Sequence, residues 1–209
     1  MTMNTLELFR STPIVPVVVL DDADQAAPLA EALLKAGIGA IEITLRTEAA
    51  LAAIEQVASG FPELCVGAGS IRRAEQIAQV SDLGARFCVS PGFSAEILAA
   101  AESAGSHLIP GASTAAEALQ LYERGYDLVK FFPAELSGGT AMIKALSAPL
   151  PELNFFPTGG ITAELAVQYL ALDCVACVGG TWFVAPDRIR AGDFDWITEQ
   201  AAAALRAVS

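Results

Sequence analysis

The sequence predicts an α/β fold, a single (β/α)8 TIM barrel running over residues 1–209 as one domain, with a short helix ahead of its first strand. Three observations predict it. Short apolar runs alternate with helical patterns at intervals of roughly 20 to 30 residues, the rhythm of βα units. Eight such units follow one another with no linker, low-complexity run or composition break. The chain has 209 residues, 54% of them hydrophobic and only 17% charged, enough for a large core and a buried subunit interface. An open doubly wound sheet shares the local pattern, but the count of eight favours the barrel.

In chain order, the segment 6–11 is expected to form the leading helix. Strand 15–20 precedes a helix over 26–35, with Gly37 as its C-cap, the position where glycine tolerates a left-handed turn. Strand 40–44 leads to helix 48–58. Strand 64–68 leads to helix 74–83, and strand 86–90 to helix 95–104, with Gly84 and Gly105 just past the helical patterns. Strand 107–110 precedes helix 115–124, opened by Thr114-Ala115-Ala116-Glu117, which fits a capping box, and followed by Gly125. Strand 127–132 leads to helix 141–146, strand 154–156 to helix 163–171, and strand 175–178 to a last helix over 195–208.

Composition excludes several classes. The net charge is −12, and no basic cluster exceeds Arg72-Arg73, so neither nucleic acid nor an anionic membrane is an expected partner. No apolar stretch approaches the ~20 residues of a membrane span. The N-terminal residues lack the basic-then-apolar layout of a signal peptide, which points to the cytoplasm. Cys65, Cys88, Cys174 and Cys177 lie in apolar surroundings. Cys174-Val175-Ala176-Cys177 has CxxC spacing, but it runs into a strand, where side chains three apart face opposite sides. Buried free thiols are therefore expected rather than a redox or metal site.

In a barrel of this kind the active site lies at the C-terminal ends of the strands. His107, the one histidine, begins its strand and so belongs to the opposite face, in a structural role. Lys130 lies inside Asp127-Leu128-Val129-Lys130-Phe131-Phe132-Pro133, which otherwise reads as a buried strand. The other two lysines, Lys35 and Lys144, occupy ordinary helical positions. Burying an ammonium is costly and favours the neutral amine that attacks carbonyls. A snorkelling lysine or half of a structural ion pair fits this segment equally well.

Two-residue alternation puts Ala40, Glu42 and Thr44 on one face of strand two, and Ile41 and Ile43 on the other. On strand six, Leu128, Lys130 and Phe132 share a face opposite Val129 and Phe131. Glu42 and Lys130 are thus both expected to point into the barrel. A buried ion pair adds little net stability over apolar replacements, so chemistry is the reading pursued: an amine nucleophile and an acid that moves protons for it. Arg46 and Thr47 follow at the active face, where an arginine can clamp a carboxylate. Alone, Arg46 would read as a loop arginine in solvent. Gly67-Ala68-Gly69-Ser70, Ser90-Pro91-Gly92, Pro157-Thr158-Gly159-Gly160 and Gly179-Gly180-Thr181-Trp182 end strands three, four, seven and eight. The loops after strands seven and eight commonly bind phosphate in this fold.

With these residues in view, the chain resembles the class I 2-keto-3-deoxy-6-phosphogluconate (KDPG)/4-hydroxy-2-oxoglutarate aldolase family. The likeness rests on Val15-Pro16-Val17, Glu42-Ile43-Thr44-Leu45-Arg46-Thr47-Glu48, Val66-Gly67-Ala68-Gly69, Ser90-Pro91-Gly92, Leu108-Ile109-Pro110-Gly111, Lys130-Phe131-Phe132-Pro133-Ala134-Glu135, Pro157-Thr158-Gly159-Gly160-Ile161 and Gly179-Gly180-Thr181-Trp182. These keep family order and spacing over nearly the whole chain. The resemblance implies that Lys130 forms a Schiff base with the substrate's C2 ketone and that Glu42 is the general acid/base, partly through a water. It implies that Arg46 and Ser70 hold the pyruvate carboxylate, that Pro91 and Phe132 line the pocket, and that Thr158 contacts the substrate chain. Gly159, Gly160, Gly179, Gly180 and Thr181 would take the phosphate. The family often has threonine at the Ser70 position and serine at the Thr181 position, and both swaps keep a hydroxyl.

The resemblance further implies a homotrimer and reversible retro-aldol cleavage of KDPG to pyruvate and glyceraldehyde 3-phosphate, a step of the Entner–Doudoroff pathway. No cofactor is expected, and no His/carboxylate cluster suggests a metal. Rival readings are the same chemistry on 4-hydroxy-2-oxoglutarate or on the galactonate epimer of KDPG, a phosphate-binding isomerase or epimerase with Glu42 as base, and a non-catalytic ligand-binding barrel.

Overall fold

The alternating pattern folds as a closed ring of parallel strands in the computed structural model, which describes residues 5–208. The leader-free reading of the N-terminus rests partly on residues 1–4, which lie outside the described residues. The strand segments are β1 (Ile14–Val18), β2 (Ala40–Thr44), β3 (Cys65–Gly69), β4 (Phe87–Val89), β5 (Leu108–Ile109), β6 (Gly111–Ala112), β7 (Leu128–Phe131), β8 (Asn154–Pro157) and β9 (Val178–Gly180). One hydrogen-bonded run is ordered β5-β4-β3-β2-β1-β9, and a second is ordered β6-β7-β8. Two links close the ring. β5 and β6 are halves of one strand interrupted at Pro110, which has no N–H to give a ladder, while its carbonyl accepts from Lys130 N at 2.9 Å. Between β8 and β9, parallel bridges join Phe155 to Val175 and Thr158 to Gly179. Counting β5 and β6 once, the barrel has the expected eight strands.

Helices cover the outside. After α1 (Thr5–Arg10) come α2 (Ala26–Ala36), α3 (Ala50–Gly60), α4 (Glu75–Asp82), α5 (Ala95–Ala104), α6 (Ala115–Glu123), α7 (Gly139–Ser147), α8 (Ala163–Leu170), α9 (Pro186–Ala191) and α10 (Phe194–Val208). The end signals act as read: Gly37 and Gly105 are left-handed C-caps, and Thr114 with Glu117 forms the capping box.

Two expectations are corrected, and one further element is added. The last strand runs over Val178–Gly180 rather than 175–178. There the chain changes partner: Ala176 N donates to Phe155 O of β8 at 3.0 Å, whereas Val178 N donates to Pro13 O beside β1 at 2.9 Å. A segment that switches neighbours forms single bridges, not a ladder. Strand one likewise stops at Val18, short of Leu20. Helix α9 was not foreseen, although Pro186 at its start and left-handed Gly192 after its end are its signals.

Side-chain parity sorts the core into two layers. Ile41, Ile43, Val129 and Phe131 join the outer layer under the helices. Val15, Ala40, Cys65, Phe87, Val89, Ile109, Leu128, Phe156 and Cys177 fill the barrel itself. Most of these inner residues lie toward the N-terminal ends of their strands, leaving the C-terminal half for polar groups. Phe9 of α1 closes the N-terminal mouth, its ring edge-on to Phe87 at 5.0 Å between centroids and stacked on Phe156 at 5.5 Å. His107 is at this same end, where its Nδ1 lies 2.7 Å from Thr5 Oγ1. That is the structural placement expected of it.

Because Phe9 is fully buried, Phe9→Ala is expected to lower unfolding stability by about 3 kcal/mol. A urea midpoint unchanged from the parent protein would show that α1 is not part of the cooperative core.

Candidate active site

Strand parity delivers the two charged groups to one enclosed point. Glu42 on β2 and Lys130 on β7 are 0% and 5% exposed, and Lys130 Nζ donates to Glu42 Oε1 at 3.2 Å. The contact joins residues 88 apart in sequence across the barrel interior. Lys130 Nζ also lies 5.4 Å from the centre of the half-buried Phe132 ring. Glu42 Oε2 and Thr158 Oγ1 are buried and find no hydrogen-bond partner among the described residues. Both atoms, like the buried Ser90 Oγ, keep hydrogen-bonding capacity that a ligand's polar groups would use.

Glycines make the approach possible. A Cβ on Gly69 of β3 would collide with the Glu42 carboxylate, and one on Gly111 of β6 would collide with the Pro91 backbone. Gly111 is also the register partner of Lys130. The Pro91-Gly92 turn is thereby drawn in beside the lysine strand. At the rim, Arg46 is exposed and donates from Nε to Ser70 Oγ at 3.1 Å. Ser70 holds a left-handed φ of 59°, unusual for a residue with a side chain. The two residues expected to share a carboxylate therefore meet.

The glycine loops after β8 and β9 also meet. Thr158 pairs with Gly179, and a Cβ on Gly179 would strike the Thr158 hydroxyl. Gly159 and Gly160 adopt φ of 105° and 79°, the left-handed region that favours glycine. Gly180 has a different reason: the Trp182 ring covers its Cβ position. Thr181 beyond it is exposed.

Cys177 lies in the same interior layer and is fully buried. Burial, reinforced by the nearby Glu42 carboxylate, pushes its thiol well above the usual range, and burial pushes Cys88 up to about 12. All four cysteines are free, but Cys174 is only half-buried, which corrects the expectation that all would be sealed. It sits in the chain crossing that replaces the expected strand. Among the described residues no group of three or more His, Cys, Asp or Glu side chains is placed to hold a metal ion, and no helix is long and apolar enough to cross a membrane. Sequence reading passed over Gly69's tie to Glu42, the place of Cys177, and Glu135, whose carboxylate Oε1 accepts from Tyr169 OH at 2.5 Å. Glu135 was visible as the end of the lysine motif; its partner, a buried helical tyrosine, had no signal of its own.

Known proteins resemble this chain in sequence and in overall fold. The model of the KDPG and KHG aldolase family matches residues 6–200. A 2-dehydro-3-deoxy-phosphogluconate aldolase of Pseudoalteromonas atlantica is 44% identical, over 97% of this chain and 94% of its own length. A KHG/KDPG aldolase of Escherichia coli K12 is 42% identical, over 95% of this chain and 93% of its own. The crystal structure of KDPG aldolase from Legionella pneumophila, with pyruvate captured at low pH as a covalent carbinolamine, superposes with a TM-score of 0.94 at 39% identity. It covers 98% of this chain and 99% of that one.

Gly69→Ala is expected to displace the Glu42 carboxylate from Lys130 and to lower turnover by about 10²-fold, the cost of an ångström-scale misplacement. A crystal structure of the variant with the pair intact, or turnover equal to the parent, would remove Gly69 from the site's requirements.

Proposed function

The chain belongs to the KDPG and KHG aldolase family and is a lyase of that class, and from this premise we propose that it cleaves KDPG to pyruvate and glyceraldehyde 3-phosphate through a Schiff base on Lys130. The observation that carries the assignment of residues is the buried Lys130–Glu42 contact at 3.2 Å. An amine enclosed with one carboxylate can hand over a proton, and the neutral amine is the nucleophile.

The steps follow from the placement. Neutral Lys130 Nζ adds to the C2 ketone, giving a carbinolamine that loses water to an iminium. Glu42 takes the C4 hydroxyl proton, the C3–C4 bond breaks, and its electron pair passes into the iminium as an enamine. Glyceraldehyde 3-phosphate departs. The protonated Glu42 returns its proton to C3, and hydrolysis releases pyruvate and regenerates the amine. The pyruvate carbinolamine captured in the Legionella relative corresponds to the last covalent species of this sequence, the one formed when water adds to the pyruvate iminium before release.

Binding roles divide by position. Arg46, with Ser70 already hydrogen-bonded to it, takes the substrate carboxylate. Pro91 and Phe132 line the walls around the lysine. Thr158, whose Oγ1 is unmatched, contacts the chain hydroxyls, and the backbone N–H groups of Gly159, Gly160, Gly179 and Gly180 with Thr181 receive the phosphate. A second substrate, 4-hydroxy-2-oxoglutarate, is favoured by the relative whose name covers both compounds. The family resemblance supports a homotrimer, and four free thiols accord with a cytoplasmic setting.

Incubation with pyruvate and borohydride should leave a stable adduct that peptide mapping finds on Lys130; no adduct under turnover conditions would sink the Schiff-base reading. Glu42→Gln is expected to lower kcat for KDPG cleavage by about 10²–10⁴-fold, the usual contribution of a general acid/base. A variant that retained parental kcat would transfer that role to another group.

A further inference from the structure

We propose that Glu135 and Tyr169 are positioning residues, a hydrogen-bonded brace that fixes the Thr158–Gly160 phosphate loop relative to Lys130 and turns the Glu135 charge away from the bound phosphate. The inference rests on the substrate orientation given above, with the phosphate at the Gly159-Gly160 loop.

The turn that follows β7 is bound to the loop that follows β8. Ala134 N donates to Thr158 O at 2.9 Å, and Glu135 N donates to Gly159 O at 3.2 Å. The Glu135 stem lies against the same loop: a Cβ on Gly160 would stand 3.0 Å from both Cβ and Cγ of Glu135. The carboxylate itself is elsewhere. Its Oε1 takes the Tyr169 hydroxyl at 2.5 Å, and a Cβ on Gly139 would meet Glu135 Oε1 and Tyr169 OH at 3.4 and 3.5 Å. One side chain thus touches three consecutive pieces of the site: the lysine strand's turn, the phosphate loop and the start of α7.

Tyr169 is suited to hold it. The residue is fully buried on α8, the helix that the phosphate loop leads into, while Glu135 is exposed on the surface of its turn. Burial, with the neighbouring carboxylate, raises the Tyr169 hydroxyl above its ordinary range, so it stays a proton donor throughout neutral pH. An exposed glutamate has several rotamers, and some carry its charge toward Gly160. A carboxylate there would repel a phosphate dianion. The tyrosine selects the rotamer in which the stem supports the loop and the charge faces α7.

Tyr169→Phe removes the donor and keeps the ring. The expected result is a KM for KDPG raised about tenfold, the scale of one lost hydrogen bond to a charged group, with kcat changed less than threefold. KM for the unphosphorylated 4-hydroxy-2-oxoglutarate and the rate of pyruvate–borohydride labelling at Lys130 should stay at parental values. Glu135→Gln on its own, which keeps an acceptor for Tyr169 and removes the charge, should leave KM for KDPG within about threefold of the parent. Equal rises in KM for both substrates, a fall in kcat and labelling together, or no change at all would each overturn the brace. Comparable damage from Glu135→Gln and Tyr169→Phe would also overturn it. Failure of the parent protein to label with pyruvate is a separate outcome, one that removes the aldolase reading rather than the brace.

Discussion

Everything else in this molecule is arranged around one enclosed contact, the amine of Lys130 against the carboxylate of Glu42. Two opposite charges removed from water gain little over a well-packed apolar pair, while either charge left alone is strongly unfavourable. The barrel therefore has to bring both in together and hold them. It does so with close tolerances: Gly69 leaves the room the carboxylate occupies, and Gly67 leaves room for the Phe87 ring below it. The apolar layer of Phe9, Phe87, Phe156 and Leu128 seals the N-terminal side. Access to the pair is left to the C-terminal mouth, where Arg46, Ser70 and the glycine loops stand.

This division has an energetic logic. The N-terminal half of the barrel is aromatic and aliphatic, and its residues bury area at about 25 cal/mol per Å². The C-terminal half carries what lowers stability: the Lys130 and Glu42 charges held inside the barrel and a left-handed Ser70. Stabilising burial at one end offsets the polar, strained arrangement at the other. The eight-stranded ring transmits that support, because each polar residue sits on a strand whose preceding residues are locked in the apolar layer, as Ala40 precedes Glu42 and Leu128 precedes Lys130.

Much of this was legible in the sequence because it depends on period and spacing. A period of two in strands two and six put Glu42 and Lys130 on inward faces. Eight βα repeats implied the ring, and the ring implied which strand ends carry the site. What the sequence hid depends on neighbours that are distant along the chain. The last strand was placed three residues early because Val175, Ala176 and Cys177 have strand composition, yet bond first to β8 and only then, from Val178, to β1. Cys174 looked apolar by its neighbours and is half-buried because it lies in that crossing. Tyr169 reads as any helical aromatic until the turn after β7 is folded over it.

The glycines illustrate the same limit at finer scale. Six of them stand around the barrel mouth, and the structure separates them by cause. Gly69 and Gly179 exist for the side chains that lie across them, Glu42 and Thr158; Gly180 for the Trp182 ring; Gly111 for the Pro91 backbone. Only Gly159 and Gly160 hold backbone angles that themselves demand glycine. A substitution at the first group acts by moving a specific neighbour, whereas one at the second acts by refolding the loop. The same residue type thus serves acid placement, ring packing and loop shape within one barrel mouth, and which of these it serves is fixed by what lies against it rather than by its place in a motif.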